Sequence, residues 1–225
     1  MKIIEDAINR KSGNLSEFES KQVLSAYGIP VTKEKTVTTL EEAVSAANSL
    51  GYPVVLKASG ENLQHKTELD LIRLDLKDES QVKQAYTELI EKSTVPITEI
   101  LIQQMLKGNR ELMAGLKRDS QFGPCVVFGL GGVLAEILED VSIRVAPITT
   151  FDAMDMMTNI RGKKILEPFR GKPAVDHEAL AEFLIALGRI GLENDAVSEI
   201  DINPIKLIEG RPVAVDALVV LDIKS

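Results

Sequence analysis

The chain has 225 residues and a formal charge of −8, with a sequence pI near 5.0; that balance excludes the broad basic face of a nucleic-acid binder, though not a nucleotide site built from a local lysine and a metal ion. With 44% hydrophobic and 27% charged residues, it reads as an ordinary globular protein, one large domain or two small ones, able to bury about seven-tenths of its unfolded surface. One cysteine, Cys125, excludes an internal disulfide and fits a reducing cytoplasm, and no apolar run approaches the ~18 residues of a membrane span.

The opening MKIIEDAINRK carries acids within its apolar stretch, so it is read as an amphipathic helix over Ile3 to Lys11 and not as a signal peptide. Ser16 followed by Glu19 is a capping-box pattern that starts a second helix, ending at Gly28 before Pro30. An extended segment, Val31 to Val37, leads to a helix capped by Thr39. Its apolar stripe is Leu40, Ala43, Val44, Ala47 and Leu50, and Gly51 closes it. Pro53 to Ala58 reads as a buried strand. Leu69 to Lys77 reads as another, with Ile72, Leu74 and Leu76 on one face. Asp78 caps a helix bearing Val82, Ala85, Tyr86, Leu89 and Ile90, and Glu99 to Met105 returns as a strand. The order β-α-β-β-α-β is a compact split unit that can form a lobe.

The second half changes character. Glu111 to Lys117, Cys125 to Phe128, Val133 to Leu138 and Ile143 to Ile148 read as successive strands. A helix near Asp152 to Ile160 follows, then a loop rich in charge, Gly and Pro from Arg161 to Pro173. Asp176 caps a long helix with Leu180, Phe183, Leu184 and Leu187 on one side. Strands over Val197 to Ile202 and Pro212 to Leu221 complete the pattern. The expected fold is α+β in two lobes, residues 20–102 and 103–225, with helix 1–19 packed on the second and a hinge near Gln103 to Gly108.

Several residues carry possible chemistry. Lys57 leaves a buried strand, where an ammonium can neutralise phosphate oxygens; a snorkelling surface lysine would look the same. His65, in GENLQHKT, sits between two strands and outside any apolar stripe, free to titrate near ~6.5 and to act as a nucleophile. An idle loop histidine explains it as well. Gly129-Leu130-Gly131-Gly132 joins two strands and lets backbone N–H groups converge on an anion, or makes a tight turn. It is neither a P-loop nor a dinucleotide fingerprint. EIDINPI places Glu199, Asp201 and Asn203 at alternate positions, and Asp216 interrupts the apolar run RPVAVDALVV. A carboxylate in such a run is costly to bury unless paired or metal-bound. Asn203 and Asp216 on adjacent strands can share one Mg²⁺ that also bridges phosphates. Glu111 opens a strand after Gly108-Asn109-Arg110. Arg144 lies between apolar neighbours as an ion-pair partner, and Met154, Met156 and Met157 are read as helix packing.

Taken together, LSEFESKQVLSAYGIPV, GYPVVLKAS, QHKT, REL, FGLGGVLAEILEDV, EIDINPI and VAVDA resemble the ATP-grasp subunit of ADP-forming acyl-CoA synthetases, and more distantly the nucleotide-binding subunit of succinyl-CoA synthetase. The resemblance implies an ATP-grasp fold of two lobes with ATP or ADP bound between them. Lys57 would contact the phosphates. ILIQQML would lie against adenine, with Gln103 and Met105 offering backbone contacts. Glu111 would face the nucleotide, Gly131 and Gly132 would approach the transferred phosphate, and Asn203 and Asp216 would ligate Mg²⁺. His65 would be a phosphohistidine that relays the phosphoryl group from a partner subunit's phosphohistidine to ADP. The chain departs from many relatives after the histidine, where Glu68-Leu69-Asp70-Leu71 replaces an Asp and a Gly pair. No dinucleotide-type CoA-binding segment is recognisable, so the resemblance implies a separate CoA-binding alpha subunit, in a heterotetramer. Two other readings use the same residues: a carboxylate–amine ligase with His65 idle, and a non-catalytic nucleotide-sensing subunit.

Overall fold

A computed structural model describes residues 1–59, 71–93, 96–132, 138–169 and 171–223. They form two compact units, Met1–Val31 with Lys107–Ser225, and Thr32–Leu106. In chain order the elements begin with α1 (Lys2–Asn9) and α2 (Glu17–Ala26) of the larger unit. The smaller unit follows as β1 (Glu34–Val37), α3 (Leu40–Leu50), β2 (Val54–Ser59), β3 (Ile72–Leu76), α4 (Glu79–Lys92) and β4 (Glu99–Gln104). The larger unit resumes with β5 (Glu111–Asp119), β6 (Gly123–Leu130), β7 (Val141–Val145), α5 (Thr150–Asn159), a 3₁₀ turn (Lys163–Leu166) and α6 (His177–Glu193). It closes with β8 (Val197–Ile208), β9 (Arg211–Ala214) and β10 (Leu218–Leu221).

Five of the described α-helices start where a side chain accepts from one of their otherwise unpaired first N–H groups, and α1 has no side-chain cap. Ser16 with Glu19, Thr39 with Glu42 and Thr149 with Asp152 make reciprocal capping boxes, and Asp78 and Asp176 accept from the third helical N–H. Such caps contribute about 1 kcal/mol each. Gly51 ends α3 at φ 82°, a conformation that penalises any residue with a Cβ.

In the smaller unit the antiparallel sheet runs β1-β4-β2-β3. One face packs Val54, Leu56, Ala58, Ile100 and Ile102 against Ala43, Ala46 and Ala47 of α3 and Val82, Ala85 and Leu89 of α4. The opposite face carries Val55, Lys57, Leu101 and Gln103, also buried. Expected alternation fails in β3. Asp75 adopts φ 58°, the pairing with β2 shifts there, and Leu74 turns outward to 63% exposure. The left-handed residue forms a bulge, which reverses the facing of its neighbours.

In the larger unit the sheet runs β10-β8-β5-β6-β7, with β9 also paired to β8. Leu180, Phe183, Leu184, Leu187 and Ile190 of α6 join Leu116, Val126, Phe128 and Ile200 in one core, with Met156 and Met157 of α5. Two buried polar groups tie down the connection between α5 and α6. The Asp140 carboxylate accepts from the N–H groups of Arg161 and Gly162, both at 2.7 Å. The buried guanidinium of Arg110 donates to the carbonyls of Ile165, Glu167 and Pro173.

Several boundaries differ from expectation. Residues 20–31 belong to the larger unit because Val23, Leu24 and Ile29 sit in its core. Pro30 also accepts from the Ala214 N–H, and Val31 bridges Ala214. The divisions fall at 31/32 and 106/107, so Gln103 is a strand residue and not part of a connector. Residues 133–137 lie outside the described residues, and Leu138 belongs to neither sheet. The strand expected over Ile143 to Ile148 is Val141–Val145. That expected over Pro212 to Leu221 is two strands separated by Val215, Asp216 and Ala217. Among the described residues no helix is long and apolar enough to cross a membrane.

Candidate functional site: a break shared by two strands

β8 changes its facing part-way along. Ile200 and Ile202 point into the core, and so do Ile205 and Leu207. Two buried positions at even numbers followed by two at odd numbers require one extra residue between them. The register with β5 shows where it is: Leu112 pairs with Ile205, but Ala114 pairs with Ile202. Asn203-Pro204, joined by a cis peptide bond, occupies this bulge. The neighbouring segment does the same. Ala214 is buried and then Ala217, Val219 and Leu221, with Val215 and Asp216 at the change.

These two irregularities face each other. Ile205 pairs with Ala214 on one side of the break and Asp201 with Leu218 on the other. The same register carried across places Asp216 opposite Asn203, and the Val215 N–H donates to the Pro204 carbonyl at 3.0 Å. An amide oxygen and a carboxylate, thirteen positions apart in the sequence, are thus brought together where both strands leave regular pairing.

The glycine turn reaches the same place. Gly132 donates its N–H to Asn203 Oδ1 at 2.8 Å, and Gly131 donates to the Glu111 carbonyl at 2.9 Å. A Cβ on Gly131 would strike the Leu112 carbonyl, and one on Gly132 would strike Glu111 Oε2. Gly132 also has φ 60°. The turn after β6 therefore needs glycine at both positions, for close approach and for backbone conformation. Glu111 stands at the start of β5 opposite Lys206 of β8, whose Nζ is 3.4 Å from its Oε1.

The charge on this face is concentrated. The Asp201 carboxyl is pushed above the usual carboxylate range, first by loss of hydration against the sheet, then by the negative charges of Asp216 and Glu199. Adjacent carboxylates of this kind attract a cation. Asn203 Oδ1 keeps a second lone pair after accepting from Gly132, and Asp216 Oδ1 accepts the Ala217 N–H at 2.9 Å. Hard oxygen donors suit Mg²⁺, which takes one or two protein oxygens and completes its shell with water and phosphate. Among the described residues no group of three or more His, Cys, Asp or Glu is arranged to hold a metal. Asn203 and Asp216 fit an ion shared with a ligand and not one caged by protein alone.

The other sequence candidates lie in the smaller unit. Lys57 is in the middle of β2, between Ile72 of β3 and Leu101 of β4, and is only 5% exposed. It is a lysine of a central strand, not of a strand end. Gln103 shares that face at 1% exposure, and its Nε2 donates to Thr32 Oγ1 at 3.0 Å. Its position in β4 pairs with both Glu34 and Val55, which engages its backbone in the sheet. Met105, just past the strand, donates its N–H to the Pro53 carbonyl at 3.1 Å. His65 lies outside the described residues. Arg144 pairs with Asp155, and His177 is the first residue of α6.

Strands, glycine turn and oxygen pair define a unit suited to polyphosphates, and comparison with known proteins gives it a family. The chain matches the ATP-grasp domain model over residues 6–221 and belongs to that family. It is similar to the acetate–CoA ligase [ADP-forming] I subunit beta of Pyrococcus furiosus, 40% identical over 212 residues, spanning 92% of this chain and 91% of that protein. It is also similar to the dinucleotide forming acetyl-coenzyme A synthetase 1 of Ca. Korarchaeum cryptofilum, solved in complex with coenzyme A, Ca-AMPCP and HgCl⁺. That match has a TM-score of 0.94 and 39% identity, and covers 98% of this chain and 99% of that one. A second structure of the same enzyme holds coenzyme A and Mg-AMPPCP, with a phosphohistidine segment pointing towards the nucleotide binding site. There the TM-score is 0.89 and the identity 40%, over 98% and 99% of the two chains.

Proposed function

We infer that the chain is the nucleotide-binding beta subunit of an ADP-forming acyl-CoA synthetase, working in the reversible reaction acyl-CoA + ADP + phosphate ⇌ acid + CoA + ATP. The observation that carries this is the Asn203–Asp216 pairing at the shared strand break, linked by hydrogen bonding to the Gly131–Gly132 turn. In the larger unit Asn203 and Asp216 would hold Mg²⁺, which would supply positive charge against the phosphates. The Gly131–Gly132 turn lies beside that position, its N–H groups engaged by the Glu111 carbonyl and Asn203 Oδ1, and Glu111 faces it. In the smaller unit Lys57 supplies a buried ammonium for the phosphates. Met105, next to Gln103, provides the backbone edge for adenine.

Catalysis in this reading is positioning plus charge stabilisation, as phosphoryl transfer demands. A CoA-binding alpha subunit, joined in a heterotetramer, makes a phosphohistidine. His65 accepts that phosphoryl group and passes it on: the P–N bond to His65 breaks as a terminal oxygen of ADP forms the new P–O bond. A reducing cytoplasm is the compartment we propose for a chain whose single cysteine is Cys125.

The experiment is His65→Ala, assayed with the partner subunit present. ATP formation should fall at least about a thousandfold, as for loss of a covalent nucleophile, while Mg-ADP binding stays within twofold. Acid-labile, alkali-stable label should disappear from this chain. Full ATP yield from the variant would sink the relay and leave direct transfer to another acceptor.

A further inference from the structure

Lys206 has no place in the roles above, yet it sits one contact from the glycine turn. Its Nζ is 3.4 Å from Glu111 Oε1, with the two side chains 17% and 30% exposed. The other carboxylate oxygen, Oε2, stands where a Cβ of Gly132 would fall. Glu111 therefore has an ammonium at one carboxylate oxygen and the glycine turn close against the other. The contacts continue from Gly132 to Asn203 Oδ1 and end opposite Asp216. Further along the same strand pair Lys117 stands across from Glu199, far from the turn.

Strict alternation hides this residue. Counting from Asp201, Lys206 falls on the core side of β8, and only the extra residue at Asn203-Pro204 returns it to the open face beside Glu111. The strand break that assembles the oxygen pair also delivers the lysine.

We propose that Lys206 is a positioning residue of the nucleotide site, pinning the Glu111 carboxylate against the Gly131–Gly132 turn and cancelling its charge where phosphates approach. This rests on the nucleotide reading of the same site. Without the ammonium, Glu111 is free to leave the turn, and its charge repels a polyphosphate at short range. A lysine that served stability alone would change the melting temperature and leave affinity untouched.

The test is Mg-ADP binding to the purified full-length chain by titration calorimetry, alongside thermal melting. Lys206→Met should raise the Kd about tenfold, Lys206→Arg should stay within about threefold, and Lys117→Met should bind as the wild type. In a Glu111→Gln background Lys206→Met should cost no further affinity, because the group it positions is already neutral. That background also serves if Lys206→Met alone does not fold, since Lys206→Gln can be read against it in the same way. Wild-type affinity in the folded Lys206 variants overturns the positioning role, as does an equal loss in Lys117→Met or a full further loss in the Glu111→Gln background. Absence of Mg-ADP binding by the wild-type chain overturns the nucleotide reading itself, and with it the proposal.

Discussion

Asp201 shows how the clustered acids of the larger unit oppose folding near neutral pH. Its carboxyl is raised by lost hydration and by Asp216 and Glu199, so the folded state holds this proton more tightly than the unfolded chain does. A raised acid favours the folded state below its unfolded value of about 4, and that advantage is lost as pH rises through the folded value. At neutral pH in metal-free buffer Asp201→Asn should therefore raise the melting temperature. The gain should shrink as pH falls and vanish below about pH 4, and Mg-nucleotide should reduce it by supplying positive charge. Melting curves across pH 3.5 to 8 check the sign; a gain that grows toward acid would refute it. At this scale the chemistry of Asn203, Asp216 and the two glycines stands out from their surroundings, and the fold brings Asn203 to Gly132 and opposite Asp216. Lys206 does not stand out, because nothing local marks a lysine opposite a glutamate across two strands. The available signal was the apolar pattern Ile200, Ile202, Ile205, Leu207, which changes parity between 202 and 205 and so moves every later residue to the other face.

Elements whose cause is local were read well, and those decided by a partner strand were not. Ser16–Glu19, Thr39–Glu42, Asp78 and Asp176 announce helix starts within four residues, and each caps its helix as expected. The outward turn of Leu74 follows from a left-handed Asp75, which no alternation of apolar residues encodes. Helix α2 carries a second device that spacing alone leaves neutral. Lys21 and Glu17, one turn apart, form an ion pair at 2.9 Å with side chains only 1% and 5% exposed. Such a pair contributes little net energy, but breaking it withdraws the counter-charge from a buried carboxylate. Lys21→Ala should destabilise the chain by about 3–5 kcal/mol in urea unfolding, whereas replacing both residues by apolar ones of similar size should cost far less. An exposed-pair value, under about 1 kcal/mol, would show that the site is wetter than its geometry.

On the scale of the whole molecule, the two-part organisation was legible and its first boundary was not. Residues 20–31 look like the approach to a β-α-β-β-α-β lobe, but their partners are nearly two hundred residues away: the Val219 N–H donates to Ser20 Oγ, and the Ala214 N–H donates to the Pro30 carbonyl. Contacts at that separation leave no trace in a local window. The smaller unit, by contrast, is one uninterrupted segment with its own core. A fragment of residues 32–106 should unfold with a single cooperative thermal transition by circular dichroism. A fragment of residues 107–225 should not, because it lacks Leu15, Val23, Leu24 and Ile29 of its core. A cooperative transition in the second fragment would count against this division.

The hydrogen bond that joins Leu15 to β10 has a temporal side. A ribosome delivers Leu15 about two hundred residues before Val219, its hydrogen-bond partner, which at ~5–20 residues per second is roughly 10–40 s. Throughout that interval the apolar faces of α1 and α2 have no sheet to cover them, while the segment 32–106 can complete its own fold. The order of synthesis and the order of folding are therefore inverted for these segments: α1 and α2 are made before residues 32–106 and are covered after them, so they are the part that a cell must shield.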